Sequence, residues 1–152
     1  MRRPYLFVIL LLAACSRRDA APPPPNPTPA VRADALPLVG RFAGTLPCAD
    51  CAGIQTELTL ASDWDGRALF RLRETYVGGP YDGRTVETDG VWTTQRGTPA
   101  DRAAIVYQLA FTDPPHTRAF VVIDERSIRL LDADLRPLPS AVPSSLTRID
   151  GR

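Results

Sequence analysis

The chain has no lysine; all 18 of its basic side chains are arginine. Schiff-base chemistry and P-loop phosphate binding, which need a lysine amine, are therefore excluded. The only methionine is Met1, and the only histidine is His116, which follows the Pro114-Pro115 turn. One histidine cannot build a His-based triad, an HExxH site or a multi-histidine zinc site. There are three cysteines, too few for a four-cysteine zinc site within one chain. Cys51 precedes Ala52 rather than histidine, so it is not a c-type haem attachment site. The 18 basic residues face 17 acidic ones. That balance is no basic footprint, and nucleic acid is not an expected partner. No apolar run is long enough to cross a bilayer core of roughly 30 Å as a helix.

What is present begins with an address. Arg2 and Arg3 form a positive head, residues 5–14 form an apolar core, and Leu12-Ala13-Ala14-Cys15 closes it with small residues before a cysteine. This arrangement reads as a signal peptide over 1–14. It resembles the bacterial lipobox, which implies lipidation at Cys15 and a membrane partner through that lipid. Ser16, rather than aspartate, follows the cysteine. In the lipoprotein sorting pattern that implies export to the outer membrane, with the domain facing the periplasm. Residues 15–35 contain the proline-dense run Pro22-Pro23-Pro24-Pro25-Asn26-Pro27-Thr28-Pro29. Such a run favours extended polyproline II and reads as a tether with a reach of roughly 60 Å.

Residues 36–150 read as one all-β domain. Ile54, Thr56, Leu58 and Leu60 alternate with Gln55, Glu57 and Thr59, the period of a half-buried strand. Similar runs occur over 42–46, 70–76, 85–93, 105–111, 119–123, 127–131 and 146–149, and turn residues separate them. Gly90 reads as a bulge ahead of Val91 and Trp92. Asp63 and Asp65, beside Gly66, read as turn chemistry rather than a catalytic pair. No stretch carries a helical stripe beyond one turn at 100–104. Short strands at this spacing predict an antiparallel up-and-down barrel of about eight strands, with a sandwich as the alternative. At that size the interior is either filled or holds one small ligand. Phe70, Leu72, Tyr107, Leu109 and Phe120 are the expected lining of such a cavity.

The chemistry concentrates in Leu46-Pro47-Cys48-Ala49-Asp50-Cys51-Ala52-Gly53-Ile54. Thioredoxin-type exchange needs the motif at a helix N-terminus. Here a strand follows, and Asp50 disfavours a neighbouring thiolate. Two readings stay open. One is a loop disulfide in an oxidising compartment. The other is a reduced pair that binds a soft ion, Cu(I), as a dithiolate.

The run from Gly40 through Arg41-Phe42-Ala43-Gly44-Thr45-Leu46-Pro47-Cys48 to Cys51-Ala52-Gly53-Ile54 resembles the NlpE N-terminal domain family. Glu74-Thr75-Tyr76, Gly90-Val91-Trp92 and Leu146-Thr147-Arg148 agree with it more loosely. The resemblance implies a small lipocalin-like barrel with the Cys48/Cys51 loop near its mouth. It also implies a non-enzymatic outer-membrane lipoprotein with a role in copper homeostasis or envelope-stress sensing, and an envelope-stress sensor protein as partner. Longer members carry a second, OB-like domain, whose functions this resemblance does not reach. The alternative is a lipocalin-like module for a small apolar ligand, with the cysteine pair as a structural disulfide.

Overall fold

The computed structural model describes residues 37–150. The signal peptide, Cys15 and the 15–35 tether lie outside the described residues. Eight strands follow in order: β1 (Leu38–Leu46), β2 (Gly53–Ser62), β3 (Ala68–Val77), β4 (Thr85–Arg96), β5 (Ile105–Thr112), β6 (Pro115–Asp124), β7 (Ser127–Leu130) and β8 (Ser145–Arg148). Each pairs antiparallel with the next, and β8 closes on β1 through Phe42↔Arg148 and Ala43↔Thr147. The expected up-and-down barrel is what forms, and the sandwich is not.

Closure follows from the alternation. Every second residue points inward, so Phe42, Leu58, Leu60, Phe70, Leu72, Leu109, Phe120, Ile128 and Leu146 meet in one buried cluster. Closing the sheet also removes the free edges that an open eight-stranded meander would expose. Trp92 seals the cluster from β4; its indole N–H donates to the Ala61 carbonyl at 3.0 Å. A smaller cluster of Val106, Ala119 and Leu131, with Val121 and Leu135 against it, forms on the opposite face of β5 and β6. The segment between β7 and β8 folds over that face and is tied to it by the Leu131 N–H, which donates to the Ala119 carbonyl.

Three local expectations are corrected. Gly90 is not a bulge, since its register against Phe70 runs unbroken. It is glycine because a Cβ there would lie 2.5 Å from the Phe70 ring and 2.6 Å from the Ala110 carbonyl. The turn at 113–115 is shorter than expected: β6 starts at Pro115, and Asp113-Pro114, joined by a cis peptide bond, forms the whole connection. Proline is tolerated there as a first strand residue. Finally, 100–104 forms a hydrogen-bonded turn rather than a turn of helix, and among the described residues a short helical turn lies at Gly79–Tyr81 instead.

Candidate functional site: the cysteine loop and the barrel mouth

The loop begins where β1 buries its last side chain. Leu46 is 2% exposed and anchors the chain; Pro47 then turns it outward, ahead of β2 at Gly53. Cys48 and Cys51 are joined as a disulfide, with their Cα atoms 5.3 Å apart. No helix follows Cys51, so the helix dipole that drives thioredoxin-type thiols is missing. Asp50 lies between them. Its Oδ1 is 3.5 Å from the Cys48 sulfur; a bonded sulfur has no proton to donate, so this is proximity rather than a hydrogen bond. The Cys51 sulfur stands 3.4 Å from the Gly53 carbonyl oxygen. The ligating atoms of Cys48, Asp50 and Cys51 all lie within 4.8 Å of one another. Asp50 is the member of this cluster that spacing alone did not single out.

The connection between β3 and β4 braces the loop from the side. The Ala52 N–H donates to the Val77 carbonyl at 2.8 Å. Gly79, at φ +72°, passes so close that a Cβ would lie 2.4 Å from the Asp50 carbonyl and 3.1 Å from the Cys51 Cβ. Positive φ and close approach both require glycine here. Asp82 fixes this brace by accepting a hydrogen bond from the Gly78 N–H at 2.6 Å.

Beneath the loop the barrel interior turns polar. Arg118 on β6 reaches across to Glu74 on β3, N to O 2.8 Å, with side-chain exposures of 26% and 12%. The Arg118 guanidinium also lies 5.4 Å from the Phe111 ring centre, and His116 stacks on the same ring at 4.2 Å. Thr56, 1% exposed, satisfies its hydroxyl on the Ile54 carbonyl. The sequence carried a signal for this layer. Glu74 is in phase with Phe70 and Leu72, and Arg118 with Phe120, so the period-2 pattern already aims both charges inward.

The expected cavity lining is placed as follows. Phe70, Leu72, Leu109 and Phe120 are each 0% exposed and belong to the one core cluster, and Tyr107 packs half-buried against it. Phe70 contacts Phe111 with ring centres 5.0 Å apart, and Tyr107 contacts Trp92 edge-on at 5.3 Å. These side chains touch each other. Two solvent-open grooves among the described residues lie elsewhere. One lies over Gln55, Glu57, Arg73 and Thr75. The other is between Thr45 and the segment around Leu138 and Val142.

Comparison with known proteins identifies a family. The NlpE N-terminal domain model matches residues 42–141. The lipoprotein NlpE of Escherichia coli (strain K12) is 26% identical over 113 residues, which cover 74% of this chain and 42% of that protein. Two crystal structures are similar. That of the Cpx pathway activator NlpE from Escherichia coli shares 23% identity, with a TM-score of 0.47 over 66% of this chain and 46% of the other. That of a putative lipoprotein from Shewanella oneidensis shares 24%, also with a TM-score of 0.47, over 78% of this chain and 94% of the other. The chain spans less than half the length of the curated relative it matches. On the match over 42–141, the chain belongs to the NlpE N-terminal domain family.

Proposed function

We propose that this chain is a non-enzymatic outer-membrane lipoprotein, anchored through Cys15, that presents the Cys48–Cys51 loop to the periplasm as a redox-gated Cu(I) site. The observation that carries the reading is the clustering of Cys48, Asp50 and Cys51 at the polar end of the barrel, braced by Gly79. In the oxidised state the disulfide withholds both sulfurs. A dithiol reductant gives two electrons and two protons to the S–S bond and leaves two thiols. Binding of Cu(I) then displaces those protons, and two thiolates suit a soft ion. The same pair without other soft ligands does not make a four-coordinate zinc site. Its output is an envelope-stress signal to a sensor protein, a role drawn from a relative described as a Cpx pathway activator.

An anaerobic Cu(I) titration of the reduced protein tests the metal step. The wild type binds one equivalent tightly, and Cys48→Ser/Cys51→Ser does not. Equal and weak binding by both would remove Cu(I) from the account. The reading of a small apolar ligand is not carried further, because its lining residues pack against one another.

A further inference from the structure

The end of the barrel opposite the cysteine loop carries a feature that this reading leaves unused. Trp64 stands at the tip of the β2–β3 hairpin and is 96% exposed. A tryptophan so fully in water is costly, since it leaves a large apolar surface solvated. The hairpin holding it is well ordered by its own bonds. Asp63 accepts the Arg67 N–H and pairs with its guanidinium, and the Asp63 N–H donates to the Arg67 carbonyl. Trp64 is therefore held out rather than left loose.

Other exposed apolar side chains lie at the same end of the barrel. Leu38 is 50% exposed and sits in register with Ala61, beside the hairpin. Ile149, 50% exposed, follows β8 at the same end, where its N–H donates to the Arg41 carbonyl. Ile123, 47% exposed, is the last residue but one of β6 there. The cysteine-loop end exposes only Val77 and Tyr81 among the large hydrophobics of the described residues.

The chain outside the described residues joins here. The Pro37 carbonyl accepts the Ser62 N–H at 3.0 Å, so the segment leading back to Cys15 leaves the barrel at the base of the Trp64 hairpin. The described chain therefore begins on the Trp64 side of the barrel.

We propose that this end is a membrane-docking face, with Trp64 seated at the lipid headgroup boundary and the disulfide loop turned toward the periplasm. The inference rests on lipidation at Cys15. Tryptophan favours that boundary because its ring is apolar and its N–H still finds a polar partner. One exposed indole binds a bilayer weakly. Tethering by the 15–35 segment raises the effective concentration to about the millimolar range, where weak contact suffices. Because the two loops lie at opposite ends of β2, docking sets Cys48 and Cys51 about 30 Å farther from the bilayer than Trp64.

The experiment uses the chain from Cys15 onward with the Cys48–Cys51 disulfide formed, so that Cys15 is its one free thiol. Cys15 is coupled to a maleimide-headgroup lipid in vesicles of phosphatidylethanolamine and phosphatidylglycerol. Tryptophan emission is compared in vesicles with plain and with brominated acyl chains. The expected result is a blue-shifted Trp64 component that loses most of its intensity to bromine. Trp64→Ser protein retains only the Trp92 emission and shows no quenching. Identical emission from wild type in both vesicles would overturn docking. Mass measurement and vesicle flotation of the protein taken from cells report separately on the native lipid. Unlipidated native protein with quenched Trp64 on coupled vesicles removes the anchor and supports the face. Lipidated native protein with unquenched Trp64 keeps the anchor and rejects the face.

Discussion

The two ends of this barrel are closed in different ways. At the Trp64 end, Arg148 folds over the Phe42 ring, 4.9 Å from its centre. It donates to the Val39 and Glu125 carbonyls at 3.1 and 3.0 Å and to Asp150 at 2.8 Å. The plug, carried by β8, is tied to the backbone of β1 and of the β6–β7 turn and to the Asp150 carboxylate. At the cysteine end, the inner layer is the Glu74–Arg118 charge pair with Thr56 and the His116–Phe111 stack, beneath a loop held by Gly79 and one four-residue disulfide ring. The first end is closed by redundant bonds. The second is closed by that side-chain layer and by the β3–β4 connection that braces the sulfur loop. Redundancy at one end lets the other respond without unfolding the barrel.

The largest effect expected is one that ignores this difference. Phe70→Ala removes a fully buried ring that serves both ends, and it should cost about 3–5 kcal/mol, read by urea denaturation. A smaller loss would mean that the two ends fold more independently than one packed cluster allows.

Next comes the inner layer of the cysteine end. Glu74→Gln leaves the Arg118 charge half-buried without its partner. A buried pair broken this way costs about 3–5 kcal/mol. Partial exposure of Arg118 brings the expectation to about 1–3 kcal/mol. A double-mutant cycle with Arg118→Leu should recover part of it, because the orphaned charge is then removed.

Gly79→Ala sharpens the contrast further. It places a Cβ against the Asp50 carbonyl at positive φ, a strain of about 1–3 kcal/mol. The expected signature is local: the disulfide reduces faster with dithiothreitol while the core keeps its near-ultraviolet signal. An unchanged reduction rate would show that the brace is not mechanical.

The smallest effect belongs to the Trp64 end and depends on pH. Burial alone would raise the Asp150 carboxyl. The Arg41 N–H and the nearby Arg148 charge outweigh it and hold the group below its ordinary value of 3.8. A depressed folded value means that the contribution is present above the unfolded value and is lost as pH falls through the folded one. Asp150→Asn should flatten this part of the acid limb of stability and leave the neutral region with a small, pH-independent loss. A pH-stability curve of each protein checks it.

The strands were legible because one face of each is apolar, so Ile54 to Leu60 and Phe70 to Leu72 declare their period. Boundaries failed where that period changes chemistry. The first half of β6 presents His116 and Arg118 inward at the polar mouth, so the apolar signal starts only near Ala119. The pairing of Glu74 with Arg118 joins strands that are not neighbours, and no local pattern encodes it. The segment between β7 and β8 has no period at all and packs through single residues such as Leu135. The cysteine loop was visible as a motif, but its partner Gly79 became evident only through the β3–β4 connection folding beside it. Trp64 read as part of a turn; an aromatic residue among Asp and Gly was a signal of exposure that turn chemistry masked.

The central claim is that the disulfide is a responsive element rather than a staple. It closes a ring of sequence separation 3. Loop-closure entropy then limits its contribution to about 2 kcal/mol, less than one core phenylalanine. Hydrogen–deuterium exchange of the oxidised and reduced protein tests this most directly. The account predicts that reduction raises exchange only in residues 47–52 and 78–83, while the amides of β1 to β8 keep their protection. Loss of protection spreading through β1, β2 and β3 on reduction would contradict it and make the disulfide structural.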